Sequence, residues 1–403
     1  MQKSKLWTKD FLAVSLTSFF VFVIFYMLTV TLPLFATDEL HASKQSLGLI
    51  VTIFLVSGIV FRPLAGKWMT TLGQKKVLLI GVFIFLIGSI LYMNIHSLSA
   101  LLLLRVLHGI GFGMSTTATG AIVANVIPEQ RKGEGMGYYA TFMNLAMVVG
   151  PFVGLTLTNT LGHTAVFTVA IVSSVLAALC SLVLRVPEVE PASSATNKIQ
   201  PAKGLAAFFE YRSLPISVAG LVVAFSYASV ISFVSMYAKE MGFTQASSFF
   251  FVVYAVCLLA SRPFTGKWFD QYGENSVVYP SILSLAIGIF LLSQATTSWV
   301  FLLAGALIGL GFGTITSSFQ SIAVKKASPH RRGVATATFF VFFDSGMGLG
   351  SFLLGILSTA AGYKGMYVFC SIVALLAIAV YLVLYGRKSQ KQRILSQNES
   401  LGK

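Results

Sequence analysis

Arg62-Pro63-Leu64-Ala65-Gly66-Lys67-Trp68 returns at an offset of 200 residues as Arg262-Pro263-Phe264-Thr265-Gly266-Lys267-Trp268. Gly73 returns as Gly273, and Gly109-x-Gly111-Phe112-Gly113 as Gly309-x-Gly311-Phe312-Gly313. Arg131, Gly133 and Gly150 return as Arg331, Gly333 and Gly350. The matches fall on glycine, proline and arginine within apolar sequence. Two halves built on one plan are what alternating access needs, because rocking one against the other opens a shared site to either side of a membrane.

Composition supports that setting. Of 403 residues, 56% are hydrophobic and 10% charged, whereas a soluble domain carries about 25% charged residues. A soluble protein of this size could not hide so much apolar surface, so the bilayer is the solvent. The net charge of +15 would suggest nucleic acid in a soluble chain, but its placement argues for a membrane and no nucleic-acid partner. Cys180, Cys257 and Cys370 lie in apolar runs without a CxxC pair. They read as small buried side chains, with no disulfide framework and no metal site. No phosphate-binding G-x-x-x-x-G-K-[ST] loop and no nucleophile–base constellation occurs. An ATP-driven pump, an enzyme and a bound cofactor are therefore not expected.

A membrane helix needs about 20 apolar residues. Such runs cover 11–36, 47–66, 76–95, 98–127, 134–158 and 163–186 in the first half. In the second they cover 213–238, 245–268, 276–296, 298–324, 332–358 and 362–386. The first run is too long for a signal h-region and lacks a cleavage site, so it reads as a membrane helix. The expected fold is an all-α membrane protein of twelve transmembrane helices in two pseudo-symmetric six-helix bundles. The bundles would be 1–186 and 213–386, joined by a Pro/Ser-rich linker at 187–212 and followed by a basic tail at 387–403. Within the linker, Leu205, Phe208 and Phe209 suggest a short helix on the inner leaflet. Only Lys44, Lys239 and Lys364 fall on one face, and Arg105 lies between the faces. All other Lys and Arg lie on the opposite face. Cytoplasmic segments hold the Lys/Arg excess, so both termini are expected in the cytoplasm.

The repeated segment carries a resemblance. Gly66-Lys67-Trp68-Met69-Thr70-Thr71-Leu72-Gly73-Gln74-Lys75-Lys76 resembles the helix 2–3 loop signature of the major facilitator superfamily, G-x-L-x-D-R-x-G-R-K. The second copy keeps the acid as Asp270, where the first has Thr70. The resemblance implies a cytoplasmic gate formed around Arg62, Gly66, Gly73 and Lys75 and around Arg262, Gly266, Asp270 and Gly273. Thr70 would make the first latch weaker or differently built. Arg62 and Arg262 have an alternative role, snorkelling to phosphates. Leu101-x-x-x-Arg105-x-x-His108-Gly109 in helix 4 looks like the family's proton-linked signature, with His108 where Gln is usual. It implies that Arg105 serves coupling. A guanidinium about two turns inside its helix costs roughly 3 kcal/mol or more facing lipid, so Arg105 must face protein or water. Bridging carbonyls between helices is its alternative role. His108 is either a proton-exchanging group or a hydrogen-bonded structural one. In helix 5, Gly137-x8-Ala146-x3-Gly150-Pro151-x2-Gly154 is similar to the family's antiporter signature, with Ala146 and Leu155 replacing two glycines. Its small residues permit close helix approach, and Pro151 can kink the helix.

Asp344 is the one acid deep inside a predicted helix, about 18 Å from Arg332 and close to the midplane. A carboxyl withdrawn from water ionises less readily, which suits a proton carrier. Its repeat partner is the neutral isostere Asn144. A permanently neutral or paired structural Asp344 is the alternative. Polar and aromatic candidates to line a cavity between the halves are Tyr26, Thr29, Ser115, Tyr139, Asn144, Tyr227, Gln320 and Phe340.

These readings converge on a monomeric, multi-pass transporter of a bacterial cell membrane. Its partners would be the bilayer, protons and a small, amphipathic molecule, exported by proton-coupled alternating access. A proton symporter or facilitator importing a metabolite is the first alternative, and a non-transporting receptor or scaffold the second.

Overall fold

The structure is a computed structural model that describes residues 5–128, 131–186, 209–327 and 332–387. The chain divides into two compact units, Met1–Pro201 and Ala202–Lys403. The first holds α1 (Lys9–Asp38), α2 (Lys44–Leu72), α3 (Gln74–Leu91), α4 (Leu98–Val126), α5 (Lys132–Leu161) and α6 (His163–Val183). The second holds α7 (Leu214–Glu240), α8 (Thr244–Tyr272), α9 (Glu274–Ser293), α10 (Ser298–Lys326) and α11 (Arg332–Tyr381), closed by a π-turn at Leu382–Gly386. Among the described residues, 11 helical segments are long and apolar enough to cross a membrane.

The twelve runs expected from sequence therefore meet eleven helices. The difference lies in α11, where the runs 332–358 and 362–386 join. Gly362 interrupts that helix with φ 68 and ψ 173. It matches Gly162, whose φ of 81 and ψ of −177 separate α5 from α6. A correction concerns the repeated signature. Gly66 to Leu72 is not loop but the last two turns of α2, and Gly73 alone turns the chain, at φ 87 and ψ 152. Gly273 does the same between α8 and α9, at φ 85 and ψ 174. A single glycine in the positive-φ region reverses direction without a longer loop, because no Cβ opposes it. The linker expected at 187–212 lies outside the described residues as far as 208. Its end is pinned to the second unit: Glu210 N–H donates to Thr338 Oγ1 at 2.9 Å, and Ser213 Oγ donates to the Ala323 carbonyl at 2.8 Å.

The two units repeat one packing scheme. In the first, α1 packs on α5 and α6, α2 on α4, and α3 on α4 and α6. In the second, α7 packs on α11, α8 on α10, and α9 on α10 and α11. Equivalent glycines make the same close approaches. A Cβ on Gly109 would strike the Phe54 carbonyl, and one on Gly309 the Tyr254 carbonyl. On Gly111 it would lie 2.7 Å from Phe85 N, and on Gly311 2.5 Å from Leu285 N. On Gly150 it would lie 2.6 Å from the Val23 carbonyl of α1, and on Gly350 2.6 Å from the Phe225 carbonyl of α7. Where lipid removes the hydrophobic drive for helix association, such backbone contact supplies it through dispersion.

The helix ends around Gln74 and Glu274 are tied in parallel ways with different chemistry. Asn125 Nδ2 donates to Gln74 Oε1 at 3.1 Å, and at the equivalent positions Lys325 Nζ meets Glu274 Oε1 at 3.4 Å. Glu274 also accepts from Tyr385 Oη at 2.6 Å, while Tyr381 Oη donates to Asn275 Oδ1 at 2.7 Å. In the first unit Lys75 Nζ donates to the Leu182 carbonyl at 3.2 Å, placing a cation on a helix C-terminus.

Gly109→Ala is expected to lower stability by about 1–3 kcal/mol through overpacking against Phe54. Gly66→Ala, with nothing within 4 Å of the new methyl, is expected to be neutral or to stabilise by up to about 1 kcal/mol. Thermal unfolding in one detergent compares them, and equal melting temperatures would refute the packing account. Glu274→Leu removes the acceptor of the Tyr385 hydroxyl and should cost roughly 1.5–3 kcal/mol. Lys325→Ala, whose side chain is 70% exposed, should cost less than about 1 kcal/mol. The same unfolding measurement tests that order.

Candidate functional site

The first unit buries a polar cluster where α2, α3, α4 and α6 meet. Arg105 stands two turns into α4 and is fully buried. Its Nε donates to the Ile50 carbonyl of α2 at 2.9 Å, and its guanidinium lies 4.0 Å from the centroid of the Phe54 ring. Its terminal nitrogens close no hydrogen bond, although the Tyr92 phenol interacts with the charge. One turn further, His108 is also fully buried and stacks on Phe85 at 3.8 Å and 12°. Its Nε2 faces Ser89 Oγ at 3.3 Å, and its Nδ1 faces Tyr92 Oη at 3.4 Å. Ser89 Oγ in turn meets Ser174 Oγ of α6 at 2.7 Å. The cation is stabilised by a carbonyl, a ring face and a phenol, all from its own unit.

Asp344 lies in α11 and is half-buried. The adjacent Phe343 is buried and meets Phe312 at 5.8 Å and Phe339 at 5.7 Å between ring centroids. The residue before the acid thus belongs to an aromatic cluster shared by α10 and α11. Asn144, its repeat partner, is half-buried on α5.

The remaining candidates fall into two groups. Tyr26, Asn144, Gln320 and Phe340 are half-buried and keep surface to offer. Thr29, Ser115, Tyr139 and Tyr227 are buried within their own units. Thr29 donates to the Phe25 carbonyl at 2.6 Å, and Ser115 sits against Gly81 of α3. Tyr139 joins Ser18 at 2.8 Å and Thr119 at 3.2 Å, and Tyr227 stacks on Phe312 at 3.5 Å. Arg62 is half-buried, with its guanidinium 5.8 Å from the Phe112 centroid. In α5, Ala146 is buried, Pro151 lies inside the helix, and a Cβ on Gly154 would come 2.7 Å from Met27 Cγ. The side chains of Thr70, Arg262, Lys267 and Asp270, and the surroundings of Gly137 and Gly266, lie outside the described residues.

Tyr92, Ser89 and Ser174 were not singled out from the sequence. The repeat held the signal, since their counterparts Leu292, Ile289 and Ala374 are apolar. Among the described residues, no group of three His, Cys, Asp or Glu is placed to hold a metal, and the cysteines are free.

Comparison with known proteins gives this arrangement its family. The chain is 25% identical over 378 residues to the staphylopine export protein of Staphylococcus aureus, covering 90% of this chain and 92% of that protein. It is 23% identical over 398 residues to the quinolone resistance protein NorA of Staphylococcus aureus, covering 94% and 97%. The solved structure of a variant of the nucleoside transporter NupG matches with a TM-score of 0.76 at 15% identity, over 93% of this chain and 99% of that one. That likeness is one of fold. Residues 14–351 match the sequence profile of the Major Facilitator Superfamily, as do residues 245–402. With apolar helices, paired units and full-length transporter relatives in agreement, the chain belongs to the Major Facilitator Superfamily and is a multi-pass membrane transporter, not an enzyme.

Proposed function

We propose that the protein exports a small amphipathic molecule in exchange for protons, by alternating access, with Asp344 as the proton-carrying acid. The observation that carries this reading is a carboxyl half-buried in α11, twelve residues from the start of that helix and next in sequence to the buried Phe343. Intramembrane acids are costly and mark ion pathways. The equivalent Asn144 in the first unit has the same shape and no proton to exchange. Export is favoured over import by the staphylopine exporter and NorA, both full-length relatives. It is favoured too by the close packing of Gly150 and Gly154 on α1, which suits a helix pair that must not leak.

The membrane arrangement we propose has twelve spans. The segment Val334–Gly386 has 53 residues. At 1.5 Å per residue it would reach about 80 Å as one helix, against a hydrocarbon core of about 30 Å. Read as two spans divided at Gly362, it gives two six-helix halves, 1–186 and 213–386. It also returns the C-terminus to the side of the N-terminus, the cytoplasmic side by the Lys/Arg excess. Arg62, Gly66, Gly73 and Lys75 of the first half, and Arg262, Gly266, Asp270 and Gly273 of the second, would then lie at the cytoplasmic ends as gating groups. Tyr26, Asn144, Gln320 and Phe340, which keep exposed surface, are the candidates to touch cargo. Cargo and proton need only bias the same equilibrium between inward- and outward-open states.

Inside-out vesicles test the reading. With a lumen acidified by respiration, a transported lipophilic cation, quinolone or sugar should release protons from vesicles carrying the native protein. Asp344→Asn, at equal expression, should cut that release by at least about tenfold. Equal release from both proteins would remove Asp344 from the coupling path.

A further inference from the structure

The second unit shows what the Arg105 site looks like when it has no polar work. At an offset of 200 residues, Arg105, His108, Tyr92, Ser89 and Ser174 become Gly305, Ile308, Leu292, Ile289 and Ala374. Ile308, Leu292, Ile289 and Ala374 are all fully buried. The two sites are built alike. His108 seats against Gly88, whose Cβ would lie 2.8 Å from the ring, and Ile308 seats against Gly288 at 2.7 Å. Where the first unit has Ile50 and Arg105, the second has Phe250 and Gly305. The Phe250 ring lies 3.0 Å from a Cβ on Gly305, on the side from which the guanidinium extends in the first unit. Hydrocarbon therefore fills this site in the same fold. Replacing a buried charged group by well-packed apolar residues is commonly neutral or stabilising. The polar version is thus not explained by the fold.

Its hydrogen bonds run in one direction. Ser174 Oγ donates to the Ala170 carbonyl at 2.9 Å, and Ser89 Oγ reaches both the Phe85 carbonyl, at 3.0 Å, and Ser174 Oγ, at 2.7 Å. Ser174 gives its one hydrogen to Ala170, so Ser89 donates across to Ser174 and has only lone pairs to turn to His108 Nε2 at 3.3 Å. A hydroxyl whose single hydrogen is already committed can only accept there, so Nε2 carries the hydrogen. Nδ1 is then the acceptor, and the Tyr92 hydroxyl at 3.4 Å donates to it. That leaves the lone pairs of the phenol turned to the guanidinium, which has donors only. A proton on Nδ1 would reverse the last link and place a second cation beside Arg105 in a site sealed from water.

We infer that Tyr92 and His108 form a neutral hydrogen-bond relay that holds the Arg105 charge in place, and that both are positioning residues for the coupled transport cycle. His108 acts through its tautomer, as a ring that accepts on one edge and donates on the other, and it carries no proton in the cycle. The role in coupling rests on the proton-coupled reading above. The tautomer does not.

Two measurements on the full chain test this. The first is 15N-histidine NMR in lipid nanodiscs, with the His108 signal identified by its loss in His108→Gln. A neutral Nε2–H ring from about pH 5.5 to about pH 8 is expected. A doubly protonated ring in that range, or the Nδ1–H tautomer, would overturn the relay. The second is pH-gradient-driven exchange of a fluorescent quinolone or ethidium in proteoliposomes. Tyr92→Phe and His108→Leu should each lower exchange at least about tenfold with melting temperatures near native, while His108→Gln, which can donate and accept, stays within about threefold. A Gln variant as inactive as Leu, or native exchange by Tyr92→Phe, would refute the inference. If the native protein exchanges these probes without moving protons, the coupling reading fails. The role assigned to the relay then falls with it, whatever the NMR shows.

Discussion

Backbone-to-backbone contact at glycine sets the rest of this structure. Gly109 presses on the Phe54 carbonyl, Gly111 on the Phe85 amide and Gly113 on the Gly58 carbonyl. Together they bring α4 against α2 and α3 with no side chain between. In a bilayer the surroundings are as apolar as the helices, so packing and the few available polar contacts must hold the elements together. Close approach also decides what else fits. The His108 ring is seated against Gly88 and stacked on Phe85, and the Arg105 Nε reaches the α2 backbone. A larger residue at Gly88 or Gly109 would displace the platform on which the buried cation rests. The polar site is therefore a consequence of the glycine contacts, which come first in the physical order.

Much of this was legible in the sequence because the repeat marks backbone requirements. Gly73 and Gly273, met two hundred residues apart, are both turns at positive φ, and the Gly109 and Gly309 motifs both sit on carbonyls. The apolar runs located the helices because lipid demands uninterrupted hydrocarbon. The junctions were less legible. The segment from Lys67 to Gln74 looks like a loop, yet a helix runs to Leu72. Composition reports the solvent around a segment, not its hydrogen bonding. Gly362, read as the start of a helix, is where α11 breaks, at φ 68 and ψ 173, as Gly162 breaks the chain between α5 and α6 at φ 81 and ψ −177.

The buried cluster was half legible. Arg105 stands out because a charge in a membrane helix is costly wherever it faces. Tyr92, Ser89 and Ser174 do not stand out, since tyrosine and serine are common in membrane helices and bond to the preceding turn. Ser89 and Ser174 do bond back, to the Phe85 and Ala170 carbonyls. What separates them from an ordinary helix serine is the 2.7 Å contact between them, which joins residues 85 positions apart in the chain. Only the folded unit brings that pair together.

The repeat has kept the backbone and let the polar groups diverge, and the divergence locates the chemistry. Asn144 faces Asp344 across the comparison, Gly305 faces Arg105, Ile308 faces His108, and the Gln74–Asn125 amide pair faces the Glu274–Lys325 ion pair. Asp344 and Arg105 each place one charge in one unit only, the Glu274–Lys325 pair adds two opposite charges to the second, and His108 adds a polar ring to the first. A symmetric pair of charged units would respond alike to a proton. On the exchange proposed above, a unit holding a buried fixed cation and one holding a carboxyl within a helix would respond differently, because protonation would alter the net charge of the second alone. Driving a two-state cycle requires that difference, since a ligand shifts an equilibrium only by what distinguishes the two states. The glycines shared by the units hold each one to the same packing, and on the proposed exchange the charges they do not share would give the cycle its direction.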